Sequence, residues 1–232
     1  MCTVSYIPLE NGFILTSNRD EDPGRETAPP ERISLANGRS VIAPRDKLKG
    51  GSWIAVDHSA RAACLLNGAF MRHKRQLPYR KSRGQLVFEA LEARDFESFI
   101  AVTSLTGIEP FTLLMFGAGQ IRNLLWDGTR KYSWQLPAGS WHLWSSPTLY
   151  TPAQHAEKER YFKDALLNRG RAADNLLGIH GLKEITPFIL NRPQVRTVSI
   201  TQVEAGQKGT SLQYHLKPKN DEKATLVSDI VV

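Results

Sequence analysis

After Met1, the chain opens with CTVSYIPLENGFILTSNRDE, residues 2–21. Two apolar runs, residues 3–8 and 13–17, flank a Glu-Asn-Gly turn. Asn-Gly between strand-like apolar runs is a strong short-range signal for a β-hairpin. In a hairpin, the start of the first strand lies beside the end of the second. The pattern therefore predicts that Cys2 lies beside Asn18–Glu21.

Cys2 carries the most informative chemistry of this stretch. Methionine aminopeptidase generally removes Met1 when the next residue is small, so we expect Cys2 to become the mature N-terminus. A terminal cysteine has a thiol of pKa ~8.5 and an α-amine of pKa ~8, so the amine can take the proton of the thiol. We see no signal-peptide pattern before it. The alternative is that Cys2 is a small apolar residue at the start of a strand.

Composition and charge limit the classes of function. A chain of 232 residues is long enough for one domain with a real core, and we expect a single domain over 1–232. No apolar stretch reaches the roughly 20 residues of a membrane span. Two cysteines do not form a disulfide framework, which indicates a reducing compartment and a cytoplasmic location.

The net charge of +7 favours anionic partners, but the sequence contains no recognisable nucleic-acid-binding module. The densest basic stretch is Arg72–Arg83, which contains Pro78 and lacks a helical apolar period. We interpret it as an exposed basic loop. It is either a solvated loop or an electrostatic funnel for an anionic ligand.

Predicted strands and helices occur in blocks. After the hairpin we predict a loop over Asn18–Pro30, and then strands at Val41–Ala43, Ser52–Asp57, Arg61–Leu66, Phe111–Phe116, Gln120–Trp126, Lys131–Trp134, Thr197–Val203, Thr210–Leu216 and Thr225–Val231. We predict helices from a Ser82 cap to Arg94, from an Asp95 cap over Phe96–Val102, from Thr151-Pro152 to Asn168, and over Ala172–Ile179. Such blocks predict an α+β protein of antiparallel sheets with helices on their outer faces.

Three short motifs could serve a reaction at Cys2. Arg19 can lower the pKa of a thiol or bind a carboxylate, and Asp20 can hold an ammonium group. Gly50-Gly51 at a strand entrance permits close approach of backbone or ligand. Asn67, at the end of an apolar strand, can donate to an oxyanion. Each motif also has a purely structural interpretation. Arg19 and Asp20 would belong to a solvated charged loop, Gly50-Gly51 would serve packing, and Asn67 would form an Asn-Gly turn. The six histidines show no metal-ligand spacing, and there is no phosphate- or dinucleotide-binding glycine motif.

Taken in order, the motifs resemble the NRDE family, which is named for its tetrapeptide and includes the transport-and-Golgi-organisation protein 2 homologues. The resemblance covers residues 2–204 and rests on Cys2, Asn18-Arg19-Asp20-Glu21, Gly50-Gly51-Ser52-Trp53, Leu66-Asn67, Arg83-Gly84-Gln85-Leu86-Val87, Ser145–Pro152 and Arg196-Thr197. That family in turn resembles N-terminal nucleophile hydrolases of the choloylglycine hydrolase and penicillin V acylase type. The resemblance implies a four-layer αββα sandwich of two antiparallel sheets.

The resemblance also implies roles for six residues. Cys2 would be the nucleophile, Arg19 and Asp20 would set its protonation and position, and Asn67 would contribute to the oxyanion hole. Arg196 matches a late-strand arginine of the family and would lie near the pocket. Ser146 stands where the family has an asparagine, and it offers one hydroxyl donor instead of two amide hydrogens.

Three functions follow as hypotheses. The first is a cysteine amidohydrolase that acts on a small linear amide, with no cofactor. The second is a non-catalytic carrier of haem or another hydrophobic anion, since some members of the family are linked to haem handling and membrane traffic. Cys2 would then be an axial ligand, and the basic loop would meet the carboxylates. The third is a partner-binding role without a small ligand. Oligomeric state is left open.

Overall fold

The protein, a computed structural model, is described over residues 2–206, 209–217 and 225–231, with Cys2 described through its backbone. The strands are Cys2–Leu9 (β1), Gly12–Glu21 (β2), Thr27–Ser34 (β3), Ser40–Asp46 (β4), Ile54–Asp57 (β5), Ala62–Asn67 (β6), Phe111–Gly117 (β7), Gln120–Trp126 (β8), Lys131–Leu136 (β9), His142–Ser145 (β10), Asn191–Arg192 (β11), Val195–Gly206 (β12), Gly209–Leu216 (β13) and Thr225–Val231 (β14). The helices are Gln85–Glu92 (α1), Phe96–Val102 (α2), Pro152–Arg169 (α3) and Ala173–Ile179 (α4).

The strands form two seven-stranded sheets. Sheet I has the order β10-β1-β2-β12-β13-β14, and β11 pairs with β12 beside this path. Sheet II runs from β3 to β9 in chain order, and α1 and α2 lie in the connection between β6 and β7. All of these pairs are antiparallel. This confirms the antiparallel sheets expected from the block pattern.

Apolar side chains fill the spaces on both faces of each sheet. One cluster lies between the two sheets and includes Val4, Leu15, Leu66 and Leu114. A second joins α1 and α2 to the outer face of sheet II, and a third joins α3 and α4 to the outer face of sheet I. The protein is therefore the αββα sandwich that the resemblance implies. Among the described helices, none is long and apolar enough to cross a membrane.

The β1–β2 hairpin sets the geometry of the site. Its register pairs Cys2 with Arg19, as the sequence predicts. Side chains alternate between the two faces of a strand. In β2, Leu15 faces the space between the sheets and Ile14 faces the helices. Arg19 therefore points between the sheets, and Asp20 points toward α3 and α4.

The predicted loop over Asn18–Pro30 is wrong at both ends. Asn18–Glu21 continues β2 because it pairs with β12, and β3 already begins at Thr27. The polar side chains of residues 18–20 are buried and hydrogen-bonded, which their composition did not indicate. Pro29 and Pro30 fit into β3 because it is the edge strand of its sheet, and its pairing is irregular between Ala28 and Glu31.

The first helix also differs from its prediction. It spans Gln85–Glu92, and its N-cap is Gly84, with no side-chain cap, so Ser82 does not cap it. The reason is a close backbone contact, in which the amide of Ser52 donates to the carbonyl of Gly84 at 3.1 Å. A Cβ on Gly51 would lie 2.6 Å from the carbonyl carbon of Gly84, so the glycine pair permits this approach.

The remaining predicted helices match the structure closely. Asp95 caps α2 by accepting from the amide of Ser98. Thr151 and Gln154 form a reciprocal capping box at the start of α3. One strand that the sequence did not predict is β10, a four-residue strand at the edge of sheet I. This strand matters because it lies beside β1.

Candidate active site

Four strand ends converge near Cys2. Cys2 begins β1, and Arg19 lies opposite it near the end of β2. On the other side of β1, Thr3 pairs with Ser145, so Ser146 follows β10 in the direction of Cys2. Asn67 ends β6 in the facing sheet, and its carbonyl accepts a hydrogen bond from the hydroxyl of Ser146 at 2.6 Å. The hydrogen bond joins the two sheets at this end of the sandwich.

Arg19 is held rigidly between the sheets. Its side chain is buried, and its Nη2 donates to Oδ2 of Asp46 at 2.8 Å. Its Nη1 donates to the hydroxyl of Thr27. The guanidinium carbon lies 4.3 Å from the ring centroid of Trp53, close enough for a cation–π interaction. Arg19 thus presents a fixed positive charge between the sheets, and its backbone pairs with that of Cys2.

Asp46 balances part of this charge. Arg25 Nε also donates to Asp46 Oδ2, at 2.6 Å. Burial disfavours the ionised carboxylate, but hydrogen bonds from Arg25 and Lys49 and the charges of Arg25 and Arg19 outweigh it and lower the pKa of Asp46. Asp46 is therefore ionised at neutral pH and anchors two arginines.

Asn67 and Ser146 form a second fixed unit. The side-chain amide of Asn67 makes no hydrogen bond to the part of the chain that the structure describes, so its donors are available. The single proton of the Ser146 hydroxyl goes to the carbonyl of Asn67, and its oxygen lies 2.9 Å from the hydroxyl of Thr148. In this arrangement Ser146 braces the backbone of Asn67, and its hydroxyl proton is engaged there.

A small pocket lies between these units. The pocket, called the Arg19 pocket below, has a volume of about 80 Å³ and is lined by residues that include Arg19, Glu21, Trp53, Asn67 and Arg83. Arg83 forms an ion pair with Glu109 at 3.1 Å, and burial, opposed by the charge of Glu109, lowers its pKa to about 10. It stays protonated at neutral pH. The predicted exposed basic loop is therefore partly buried at its Arg83 end.

Asp20 belongs to the other face of β2. Its Oδ2 accepts from the hydroxyl of Tyr150 at 2.5 Å, and its Oδ1 accepts from that of Thr197 at 2.7 Å. Burial raises the pKa of Asp20, while the charge of Lys158 and these two hydrogen bonds oppose the rise. The backbone of Asp20 adjoins Arg19, but its carboxylate lies in the layer between sheet I and the helices.

Lys158 is the charged partner of that layer. It projects from α3, is 1% exposed, and donates to the hydroxyl of Thr3 at 2.6 Å. Its Nζ lies 3.0 Å from the ring centroid of Tyr150. Burial lowers the pKa of Lys158 from 10.5 to about 7, against the opposing charge of Asp20. A lysine in this state can gain or lose a proton near neutral pH.

His180 completes the buried polar layer. Its ring nitrogens contact the Ser5 hydroxyl at 2.7 Å and the side-chain oxygen of Asn18. The amide nitrogen of Asn18 donates to the carbonyls of His180 and Phe188. Burial, with a contribution from Lys158, lowers the pKa of His180 to about 3, so the ring is neutral at pH 7. The NRDE stretch therefore fastens α4 to the sheet through its asparagine.

Arg196 lies on β12, where it pairs with Glu21 of β2 and with Asn191 of β11. The register of β12 shifts between Thr197 and Ser199, so an irregularity follows Arg196 directly. Its side chain is half-buried. Five of the six residues proposed from the sequence therefore lie at this end of the sandwich, between the sheets or at the adjoining strand ends: Cys2, Arg19, Asn67, Ser146 and Arg196. The carboxylate of the sixth, Asp20, lies in the layer between sheet I and the helices.

Sequence reasoning missed Lys158, Tyr150 and His180. Lys158 stands four residues before Phe162 and seven before Ala165, both of which are buried on α3. A lysine on the apolar face of an amphipathic helix was the available signal. Among the described residues, no group of three or more potential ligand side chains could hold a metal ion.

Solved structures share this fold at low identity. The conjugated bile acid hydrolase from Clostridium perfringens, as a cysteine-to-alanine mutant, has a TM-score of 0.64, is 8% identical, and the match covers 100% of this chain and 96% of that one. An arginine-to-leucine variant has a TM-score of 0.63, is 9% identical, and the match covers 97% and 92%. The Caenorhabditis elegans ortholog of N-acylethanolamine-hydrolyzing acid amidase has a TM-score of 0.57, is 11% identical, and the match covers 87% and 92%.

These likenesses agree with the αββα layers and identify an N-terminal nucleophile hydrolase fold. No curated protein sequence matches the chain. The profile of the family described as "Transport and Golgi organisation 2" matches residues 1–204, which is most of the chain. That family is the one the NRDE stretch predicts. The chain therefore belongs to the Transport and Golgi organisation 2 family.

Proposed function

We propose that the protein is an amidohydrolase that cleaves a small linear amide, with Cys2 as its nucleophile once Met1 has been removed. The observation that carries the proposal is the β1–β2 register, in which Cys2 pairs with a buried, immobilised Arg19. Asn67 reaches the same end of the sandwich from the facing sheet, and its side-chain amide is available to the substrate. The proteins that share the fold are named as hydrolases, and one of them as an amidase.

The first half of the reaction forms a thioester. The α-amine of Cys2 takes the thiol proton, and the thiolate sulfur attacks the carbonyl carbon of the amide. The carbonyl electron pair moves to oxygen, and Asn67 donates a hydrogen bond to this oxyanion. When the carbonyl re-forms, the carbon–nitrogen bond breaks, and the proton held by the α-amine passes to the departing nitrogen.

The second half uses one water molecule. The α-amine, now neutral, takes a proton from water as the water oxygen attacks the thioester carbon. The carbon–sulfur bond breaks, the acyl group leaves as a carboxylic acid, and the thiolate regains its proton. In this scheme Arg19 favours the thiolate by its fixed charge. Ser146 acts as a positioning residue, because its proton is engaged by the carbonyl of Asn67.

The size of the Arg19 pocket supports a small reacting group. About 80 Å³ is far below the roughly 300–1,000 Å³ of sites that enclose a drug-sized ligand. The carrier hypothesis draws on the charge of the same pocket. Its lining includes three arginines, at positions 19, 25 and 83, and two carboxylates, those of Glu21 and Asp46. The lining thus has one positive charge more than its carboxylates, although Glu109, outside the lining, is ion-paired with Arg83 and offsets it. The experiment below separates the two hypotheses.

The test begins with the mass of the intact protein, which must show removal of Met1. The Met-free protein is then assayed on a panel of short acyl amides. We expect turnover by the wild type, none by Cys2→Ala, and a loss of roughly 10²–10³-fold in kcat for Asn67→Ala, the usual effect of removing one oxyanion donor. Cys64→Ala and Asn168→Ala are the matched controls and should retain activity, since Cys64 is buried in β6 and Asn168 is exposed on α3.

A Met-free wild type that turns over no member of the panel would overturn the hydrolase proposal. Haem is then added to the same sample. A change in its absorption spectrum that is altered by Cys2→Ala would favour the carrier hypothesis.

A further inference from the structure

The chain between β6 and α1 forms a long loop beside the candidate active site. Residues 69–83 of this connection are called the 69–83 loop below. Asn67, just before the loop, and Arg83, at its end, both line the Arg19 pocket. The amide of Gly68 and the guanidinium of Arg83 each donate to the carbonyl of Pro110, at 3.0 and 2.9 Å. Both ends of the loop are therefore fixed at one point, at the end of the sandwich that holds the pocket.

Three large apolar side chains of the 69–83 loop are exposed. Phe70, Met71 and Leu77 are 58%, 74% and 71% exposed. Phe70 makes an edge-to-face contact with Tyr132 of β9, with 5.1 Å between the ring centroids, which holds its ring against sheet II. A single exposed apolar residue is ordinary, whereas several in one short loop indicate a surface that meets an apolar partner.

The same loop is strongly basic. It carries six Lys and Arg side chains and no Asp or Glu. Two carboxylates outside the loop, those of Glu89 and Glu109, form ion pairs with three of these cations. Arg72 and Lys74 are exposed, and neither has an ion-pair partner in the described part of the chain. Six positive charges therefore meet two negative ones, and the excess lies next in sequence to the exposed apolar side chains.

This combination of groups favours the surface of an anionic lipid bilayer as the partner. At such a surface, apolar side chains enter the boundary between headgroups and acyl chains while Lys and Arg meet the lipid phosphates. A single-stranded nucleic acid would be bound through aromatic side chains on which its bases stack. The two most exposed apolar residues of the loop, Met71 and Leu77, are not aromatic. A small soluble anion would leave both of them uncovered.

We propose that the 69–83 loop docks the protein reversibly on a bilayer that contains anionic lipid. Met71 and Leu77 enter the interface, and Arg72 and Lys74 contact the phosphates. Docking brings the candidate active site to the lipid surface, because both ends of the loop are fixed beside it. Three apolar side chains bury little area, so the docking is peripheral and depends on the anionic charge of the bilayer. It is independent of the proposed function, since it uses none of the residues of the reaction.

The test is sedimentation of the full chain with sucrose-loaded vesicles of two compositions. One is phosphatidylcholine alone, and the other contains about one third phosphatidylglycerol. At low ionic strength we expect binding to the anionic vesicles to be at least about tenfold tighter than to the neutral ones, since each Lys or Arg at an anionic surface contributes about fivefold in affinity. High salt should weaken this binding, because it screens the attraction.

One pair of double variants tests the apolar contribution. Met71→Ser with Leu77→Ser should weaken binding to the anionic vesicles by about tenfold, because it removes apolar area from the interface. Leu167→Ser with Ile185→Ser is the control. It changes two comparably exposed side chains, one on α3 and one after α4, and should bind like the wild type.

A second pair of double variants tests the ionic contribution. Arg72→Gln with Lys74→Gln should weaken binding by about 25-fold, at fivefold for each charge. Lys163→Gln with Arg171→Gln removes the same charge from exposed positions at α3 and should have little effect. All four double variants change only exposed side chains, so each should keep the melting temperature of the wild type.

Three outcomes would overturn the docking. They are the absence of binding to anionic vesicles at low ionic strength, equal binding to both compositions, and unchanged binding of the variant at Met71 and Leu77. Retention of a single-stranded oligonucleotide without vesicle binding would assign the loop to nucleic acid and overturn it as well. Selective vesicle binding by a Met-free protein that turns over no amide would support the docking, while the hydrolase proposal would fail on its own test.

Discussion

Replacing Lys158 by methionine should change how stability depends on pH. Lys158 is almost fully buried, and burial lowers its pKa from 10.5 to about 7. Below about pH 7 both the folded and the unfolded chain hold the proton, so the folded protein bears the full cost of a buried ammonium group. Between pH 7 and 10.5 the unfolded chain binds more protons than the folded one, so the free energy of unfolding rises with pH.

The size of the effect follows from the pKa. The full interval from 10.5 to about 7 corresponds to about 5 kcal/mol, and the slope approaches about 1.4 kcal/mol per pH unit. Between pH 7 and 9, the wild type should therefore gain about 2 kcal/mol relative to Lys158→Met. Loss of the lysine charge also raises the pKa of Asp20 further in the variant. This too makes the wild type more stable relative to the variant as the pH rises. The variant also loses the hydrogen bond to Thr3, which lowers its free energy of unfolding by about 1 kcal/mol, nearly independently of pH.

The assay is urea unfolding at pH 6, 7, 8 and 9, followed by circular dichroism. Lys163→Met, on an exposed position of the same helix, is the control and should run parallel to the wild type. His180 does not interfere between pH 7 and 9, because its contribution to the pH dependence falls between about pH 3 and 6.5, the pKa values of the folded and the unfolded chain. If the Lys158→Met and wild-type curves are parallel from pH 7 to 9, the lysine does not titrate as argued.

Three further predictions concern the intersheet side. Gly51→Ala should destabilise the protein by about 1–3 kcal/mol, because the new Cβ would lie 2.6 Å from backbone, whereas Gly139→Ala meets no atom within 4 Å and should have little effect on thermal unfolding. Arg19→Met should lower the free energy of unfolding by about 3 kcal/mol in urea titrations, because it strips a buried carboxylate of one partner, and an unchanged midpoint would contradict this. Brief alkylation at neutral pH should label Cys2 and spare Cys64, which is fully buried in β6, and peptide mapping that finds Cys64 labelled first would reverse the assignment.

The fold was largely predictable because its signals are local. The Asn-Gly turn, the Asp95 cap and the Thr151-Pro152 start each act within a few residues of the element they define. The failures depend on distant partners. Asn18–Glu21 has the composition of a loop, and it is a strand because β12, nearly 180 residues later in the chain, supplies its partners. The edge strands β3 and β10 are defined by such pairing more than by propensity.

The sequence predicted site neighbours that pair within one hairpin, but not contacts between different layers of the sandwich. The hairpin register placed Cys2 beside Arg19, since strand pairing follows from the turn. The sequence did not indicate that the hydroxyl of Ser146 is engaged by Asn67, because that bond joins residues from the two sheets. Lys158 and Tyr150 were missed for a similar reason, since they lie on a helix and a loop remote from Asp20 in sequence. Tyr150 donates to Asp20, and the charge of Lys158 acts on it.

The alternation of side chains along β2 has a consequence for how genetic variation at this motif is interpreted. Arg19 and Asp20 are encoded by adjacent codons, yet one projects between the sheets and the other into the helical layer. Changes at the first should alter binding in the cleft while α3 stays docked, and changes at the second should loosen α3 and its lysine. Two neighbouring missense changes would then both lower protein abundance, but only the change at Arg19 would also impair ligand recognition.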